Sequence, residues 1–382
     1  MKRENGFSLV EVLVATALLL LIVTATLSTL TDAIHANEGI TLMADMQENL
    51  RAAMNYMVRD IVESGEGIPN GGVSIPNTAA AVSNVNRPSP PTKAYTFPPT
   101  YTTLPAISPG ASQGLQAATP NPAIPGAVVL GQNTDMITII YADTTLVDGN
   151  NHTLNEFPIY LAPVGGKAGC GAGFSYPQGS ITATGNSMTL DASCININTG
   201  NTGIHTGDMI MFQNAQGNTI QTVTGVAGQT VTFGGADAFK LNLTGKANGT
   251  IVNLQNGIAS PGGPYPPTTA TRVWMITYYI DSNTVPLRPQ LTRQVNFNPA
   301  QAVGEVIEDL EISYDINDAV ATVPAVDAPQ PILPDTPNQI RKINLFLAAR
   351  SETWYSKTKT YFRNNLETEV SIRALSFYQQ YK

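Results

Sequence analysis

The feature that most constrains this chain is a proline-free stretch from Phe7 to Glu63 whose first half is almost wholly apolar. A short polar leader, Met1 to Gly6, precedes it and holds Lys2 and Arg3. From Phe7 to Leu30 the only charge is Glu11. About 20 apolar residues suffice for a helix to cross the hydrocarbon core of a bilayer, so this run is long enough. A carboxylate within such a segment costs roughly 2.5–3.5 kcal/mol on insertion scales, so Glu11 should have a partner or a task. Lys2 and Arg3 ahead of the span keep the N-terminus inside and send the chain beyond Leu30 outward. A secretory signal places its small-residue cleavage site after the apolar core. Here the small residue, Gly6, stands before it, and no A-x-A site follows Leu30. A plain signal anchor explains Lys2, Arg3 and the apolar run, but not Glu11.

Gly6, then Phe7, then Glu11 as the fifth residue counted from Phe7, resembles the class III signal of type IV prepilins and pseudopilins. The resemblance implies that a membrane-embedded prepilin peptidase cuts between Gly6 and Phe7 and methylates the new Phe7 amine. It also makes Glu11 the family's acidic residue. Cutting leaves an amine on Phe7 at the inner edge of the membrane, and a neighbour's Glu11 can then pair with it inside a helical bundle. Pairing offsets the burial of both charges, whereas one left unpaired is far more costly. Subunits would then stack only where the charges meet.

Beyond Leu30 the helix is expected to continue. Met43, Met46, Leu50, Met54, Met57 and Ile61 recur at steps of three and four, with Asp45, Glu48, Arg51, Arg59 and Asp60 between them. That is one apolar stripe on an amphipathic helix, expected to lie on the protein's own domain. Gly39 is the weak point and a possible bend. Gly65, Gly67 and Pro69 end the element.

Twelve of the 27 prolines fall between Ile68 and Gly126, which reads as a long loop or tether partly pinned to the surface. From Ala127 the chain turns β-rich. Met136 to Tyr141, Arg272 to Ile280, Leu291 to Val295, Leu310 to Tyr314, Lys342 to Arg350 and Val370 to Ile372 read as strands. Val306, Ile307 and Leu310 suggest a turn, and Val323 to Pro337 another Pro-rich loop. His205 to Gln213, Thr219 to Thr224 and Gln229 to Phe233 read as short strands of an inserted β subdomain, about residues 146–267. The expected organisation is a leader (1–6), a membrane and amphipathic helix (7–64), the Pro-rich segment (65–126) and a β-rich domain (127–382). The fold class is α+β and pilin-like: a long N-terminal helix on an antiparallel sheet.

The C-terminal half resembles the PilW family of minor pilins and the related GspJ pseudopilins of type II secretion. The likeness rests on Tyr278 to Asp281 with Leu287 and Arg288, on Val306 to Tyr314, and on Ile340 to Arg350 with Tyr361 to Arg363 and Val370 to Arg373 behind it. Arg51 to Glu63 resembles the helix end of that family. Ala374 departs from the Arg-Asn that often ends a strand there.

Charged residues make up only 13%, and the net charge is −8, which argues against a role built on nucleic-acid phosphate contacts. Cys170 and Cys194 lie on the outward side of the span, where a disulfide between them is expected; two buried thiols are the alternative. Its loop of about 25 residues would contribute roughly 3 kcal/mol in the chain-entropy model. His35, His152 and His205 lack metal-ligand spacing. Gly166-Lys167 is no P-loop, and residues 169–173 lack the dinucleotide spacing. Glu305, Glu308, Asp309 and Glu311 cluster as the solvated face of a turn, with a calcium site as the sharper alternative. Asp315, Asn317 and Asp318 hint weakly at calcium as well. No catalytic constellation, cofactor motif or metal set emerges.

The expected function is structural: a minor pilin that helps to start or build a type IV pilus, near the filament tip. The resemblance implies as partners the prepilin peptidase, other minor and major pilins, and the inner-membrane assembly platform. A GspJ-like pseudopilin, or a tip adhesin using the inserted subdomain, are the alternatives. The protein would sit in the inner membrane with its C-terminal domain in the periplasm before reaching the surface.

Overall fold

The computed structural model describes residues 8–78, 81–82, 84–90, 94–115, 133–143, 159–162, 179–191, 197, 203–257, 263–284, 288–317, 325–331 and 336–376. Helix α1 runs unbroken from Leu9 to Glu63, 55 residues, or about 80 Å at 1.5 Å per residue. Ser8 caps its start: the Ser8 hydroxyl accepts from the Val10 N–H at 3.3 Å. At the other end Ser64 donates its hydroxyl to the Ile61 carbonyl at 2.6 Å. The helix continues through Gly39, which is buried within it.

Among the described residues, sixteen strands of three or more residues organise the domain. The first nine are β1 (Ile107–Gly110), β2 (Met136–Ala142), β3 (Ile159–Ala162), β4 (Gly179–Ile181), β5 (Ser187–Leu190), β6 (Met209–Asn214), β7 (Gly217–Thr222), β8 (Gly225–Ala227) and β9 (Thr230–Thr232). They are followed by β10 (Thr268–Asp281), β11 (Gln290–Val295), β12 (Gln301–Glu305), β13 (Ile307–Ile316), β14 (Ala325–Ala328), β15 (Ile340–Arg350) and β16 (Arg363–Ser371).

Strand β10, 14 residues long, is the spine of the larger sheet. Its first half pairs antiparallel with β6 (Met209 opposite Val273) and with β3 (Ile159 opposite Ala270). Its second half pairs antiparallel with β2 (Ile139 opposite Ile276) and β11 (Leu291 opposite Ile280). Beyond β3 the sheet extends through β4, β5, β9 and β8, and beyond β6 it ends in β7. The smaller sheet is antiparallel, in the order β14-β13-β15-β16.

The second half of α1 lies on this framework. Met46, Leu50, Ala53, Met54, Met57 and Ile61 share one core with Ile139, Ile276, Tyr278, Leu310, Ile312, Ile343, Leu345 and Leu347. The alternating residues of β15 thus meet the helical stripe, as two apolar periodicities placed face to face require. Met43, at the outer end of the predicted stripe, stays exposed.

Two expectations change. The Pro-rich stretch, where described, is not a surface tether: Val73, Ile75, Val85, Phe97 and Leu104 form a core with Ile140, Met211, Val273 and Met275. β1, Ser-Pro included, pairs with β2 as an edge strand, a position that tolerates proline. Arg87 pins this stretch, donating to the Ser108 carbonyl (2.6 Å), the Pro109 carbonyl (2.9 Å) and the Thr138 hydroxyl (2.5 Å). The predicted insertion does have its own core, with Ile159, Leu161, Met188, Phe212, Val231 and Phe233. Yet β6 and β7 also supply Met209, Met211 and Ile220 to the core beneath the Pro-rich stretch. The two regions share a sheet instead of forming separate bodies.

Candidate functional site

Every residue from 8 to 34 is exposed. Along this half of α1, leucines, valines and isoleucines cover all sides, among them Leu9, Val12, Leu18, Leu21, Ile22 and Leu30. A helix apolar all round belongs in a membrane or in the core of a bundle. Its hydroxyls suit such a setting. Thr16, Thr24, Thr26, Thr29 and Thr31 each donate back to a carbonyl three or four residues earlier at 2.9–3.0 Å, so none presents a bare donor to hydrocarbon.

Glu11 is the one charge between Ser8 and Leu30. It stands in the first turn of α1 and accepts the Ser8 N–H on Oε2 at 2.9 Å, closing a capping box with Ser8. An acid here also suits the positive end of the helix dipole. Within one chain the carboxylate therefore serves its own helix start. A carboxylate offers about four lone-pair sites, so capacity remains for a further donor. Gly6 and Phe7, the predicted cut, lie outside the described residues, as do Cys170, Cys194 and His152.

Side chains far apart in the chain fasten the helix to the domain. Asp60 is 1% exposed and accepts the Tyr278 hydroxyl at 2.6 Å and Arg293 Nε at 2.5 Å. Burial first, then the Asp60 charge, pushes the Tyr278 hydroxyl well above its usual range, so it remains a donor. Nearer the apolar half, the loop between β15 and β16 packs on α1 around Gly39. Gly39 faces the Tyr355 and Phe362 rings, which a Cβ at that position would meet at 3.6–3.7 Å. Tyr355 sits edge-on to His35 at 6.2 Å between centroids. Ser356 bonds His35 Nδ1 at 3.0 Å and also donates to Glu38 through both its hydroxyl and its N–H. These bonds hold the Glu38 carboxyl below its ordinary range. Lys357 Nζ reaches Asp32 at 3.1 Å. Gly39 carried the one available signal: a small residue in a helix leaves room for a ring.

The acidic cluster differs from its expected solvated turn. Ile307 to Ile316 is a strand, and Glu308 and Asp309 are buried in it. Glu308 is clasped between Arg350 and Arg363, each at 2.9 Å. Glu305 pairs with Arg288 at 2.6 Å. Asp135, Glu311, Asp327, Glu367 and Glu369 line an open cleft, in which Asp135 is committed to the N–H groups of Ser112 (2.6 Å) and Ile312 (2.8 Å). Among the described residues no three His, Cys, Asp or Glu side chains converge as metal ligands. The buried charges bind the fold to itself, and the surface suited to other molecules is the exposed half of α1.

A prokaryotic N-terminal methylation motif matches residues 1–27, which takes in the leader, Glu11 and the apolar start of α1. No curated protein and no solved structure matches the chain. The motif is that of prepilin-type subunits, and it implies processing by a prepilin peptidase and association with other pilins.

Proposed function

We propose that this chain is a minor pilin of the PilW kind, cut between Gly6 and Phe7, methylated on Phe7, and built into a type IV pilus near its tip. The observation that carries the reading is the division of α1. Its first half is exposed and apolar behind a methylation motif, while its second half carries a domain of some 300 residues. Before assembly the apolar half anchors the protein in the inner membrane with the domain in the periplasm. During assembly it slides against other pilin helices, which replace lipid with packing of equal apolarity. Little hydrophobic gain then separates one register from another. A single charge contact can decide it: Glu11, holding spare acceptor capacity, meets the methylated amine of a neighbour's Phe7. The domain is bulky for a main repeating subunit, and this supports a position at the filament end, in contact with other minor and major pilins and the assembly platform. No chemistry is asked of the domain.

Mass spectrometry of the cellular protein tests this directly. The mature chain should begin at N-methylated Phe7. Glu11→Val should leave cutting and membrane insertion intact and lower incorporation into sheared pili at least several-fold. A protein that still begins at Met1, or a Glu11→Val protein that assembles normally, overturns the reading. Lost protein secretion with normal pili would instead move the chain to a pseudopilus.

A further inference from the structure

The loop between β15 and β16 lies at a defined depth relative to the membrane. Its contacts climb α1 in order: Phe362 and Tyr355 touch Gly39, Ser356 touches Glu38 and His35, and Lys357 reaches Asp32. The tip therefore points toward the membrane end of the helix. The apolar run closes at Leu30. Five further residues advance the helix by about 7.5 Å. A bilayer of ~40–45 Å with a ~30 Å hydrocarbon core leaves about 5–8 Å of headgroup layer on each side. Asp32 to His35 thus fall within that layer, and the loop tip falls there with them.

The composition of the loop fits this place. Trp354 is 53% exposed and adjoins Tyr355, and Trp and Tyr concentrate at membrane–water interfaces. The tip is a tight turn, closed by Tyr355 N–H to the Thr360 carbonyl (2.9 Å) and Lys359 N–H to the Tyr355 carbonyl (2.8 Å). Lys359 is exposed and held at φ 55°, where glycine or asparagine is the easier choice. The acids nearby are engaged: Asp32 by Lys357, Glu38 by Ser356, and Glu352 by Arg288. Lys359 is thus left as the positive charge at the tip.

We propose that this loop, residues 351–362, is a second membrane contact, with Trp354 and Lys359 set among anionic phospholipid headgroups of the leaflet that α1 leaves. It rests on α1 being a membrane anchor. The contact would hold the domain upright at the membrane before assembly, fixing the rotation of α1 that it presents to an incoming pilin.

The two tryptophans, Trp274 and Trp354, make the test direct. The full chain is reconstituted into phosphatidylcholine vesicles carrying a headgroup nitroxide, with and without phosphatidylglycerol, as Trp274→Phe and as Trp354→Phe. Trp354 should be quenched several-fold more than Trp274. Phosphatidylglycerol should strengthen that quenching, and Lys359→Glu should abolish the gain. Equal quenching of the two tryptophans, in a chain that resists alkaline extraction, overturns the loop contact and leaves the anchor standing. Quenching indifferent to phosphatidylglycerol overturns the anionic-lipid assignment. A chain that alkali strips from the vesicles overturns both the anchor and the contact.

Discussion

Asp309 shows how a buried acid contributes to the pH response of the domain. Burial first, then the neighbouring Glu311, pushes its carboxyl up to about 6, from an ordinary 3.8. The fold therefore favours the protonated form. That contribution is fully present below the unfolded value and is lost as pH rises through about 6. Asp309→Asn keeps the shape without the charge. At about pH 8 it should stabilise the full chain, read from its urea unfolding curve, by on the order of 1–2 kcal/mol after allowance for screening. The advantage should vanish near about pH 4, and a pH-independent gain would mean that the charge is not its source. Glu308, one residue earlier, is instead ion-paired with both Arg350 and Arg363. Adjacent acids in one strand thus have different fates, which sequence spacing could not separate: each depends on what the opposing strand brings across.

At the scale of the element, α1 performs two tasks with one periodicity. Its apolar half needs no partner within the chain, so its extent is plain from composition. Its amphipathic half needs a specific one, and the steps of three and four from Met46 to Ile61 point to the buried face. Gly39 breaks neither half. Its lack of a side chain admits Tyr355 and Phe362, and a Cβ at 3.6–3.7 Å would sit in ordinary contact. Gly39→Ala should therefore stabilise the full chain by about 0.5–1 kcal/mol through helix propensity. Gly39→Leu should displace the two rings and speed limited proteolysis at Lys357 and Lys359. Unchanged proteolysis in the leucine variant would show that the loop does not depend on this clearance. Glu11 is legible in the same way as the apolar half, because one charge in a greasy run demands an explanation. Its bond to Ser8 becomes visible only once the helix start is built.

The whole molecule is held together by β10, which joins regions that look separable along the chain. Arg272 on this strand donates to Asp143 at 2.5 Å and to the Gly203 carbonyl at 2.5 Å, and its Nη1 lies 3.4 Å from Asp208. It thereby ties β2 to the approach to β6. Deleting residues 146–267 would strip β6, β7 and Asp208 away and expose Ile140, Val273, Met275 and Phe97, which now form one core with Met209 and Met211. The shortened chain should lose protease resistance throughout the domain as well as in the deleted part. A shortened domain that stays resistant would restore the picture of an independent insertion. By the same physics, an adhesion role for this region is better tested by point changes on its surface than by its removal.

What the linear order of residues settled is whatever depends on neighbours within a few positions: the methylation signal, the membrane-length run, the amphipathic stripe, and the β-branched strands with their alternation. Those features come from short-range periodicity and from the cost of charge in hydrocarbon. The folded chain decided everything that pairs distant residues. It took a proline-rich stretch that composition marks as open chain and buried it, because Val73, Val85 and Phe97 found apolar faces on β2, β6 and β10, and Arg87 found carbonyls on β1. It buried Glu308 between two arginines within an acidic run and swung a distant loop onto α1. Sheet neighbours are chosen by shape and burial across hundreds of residues, and no local pattern records that choice.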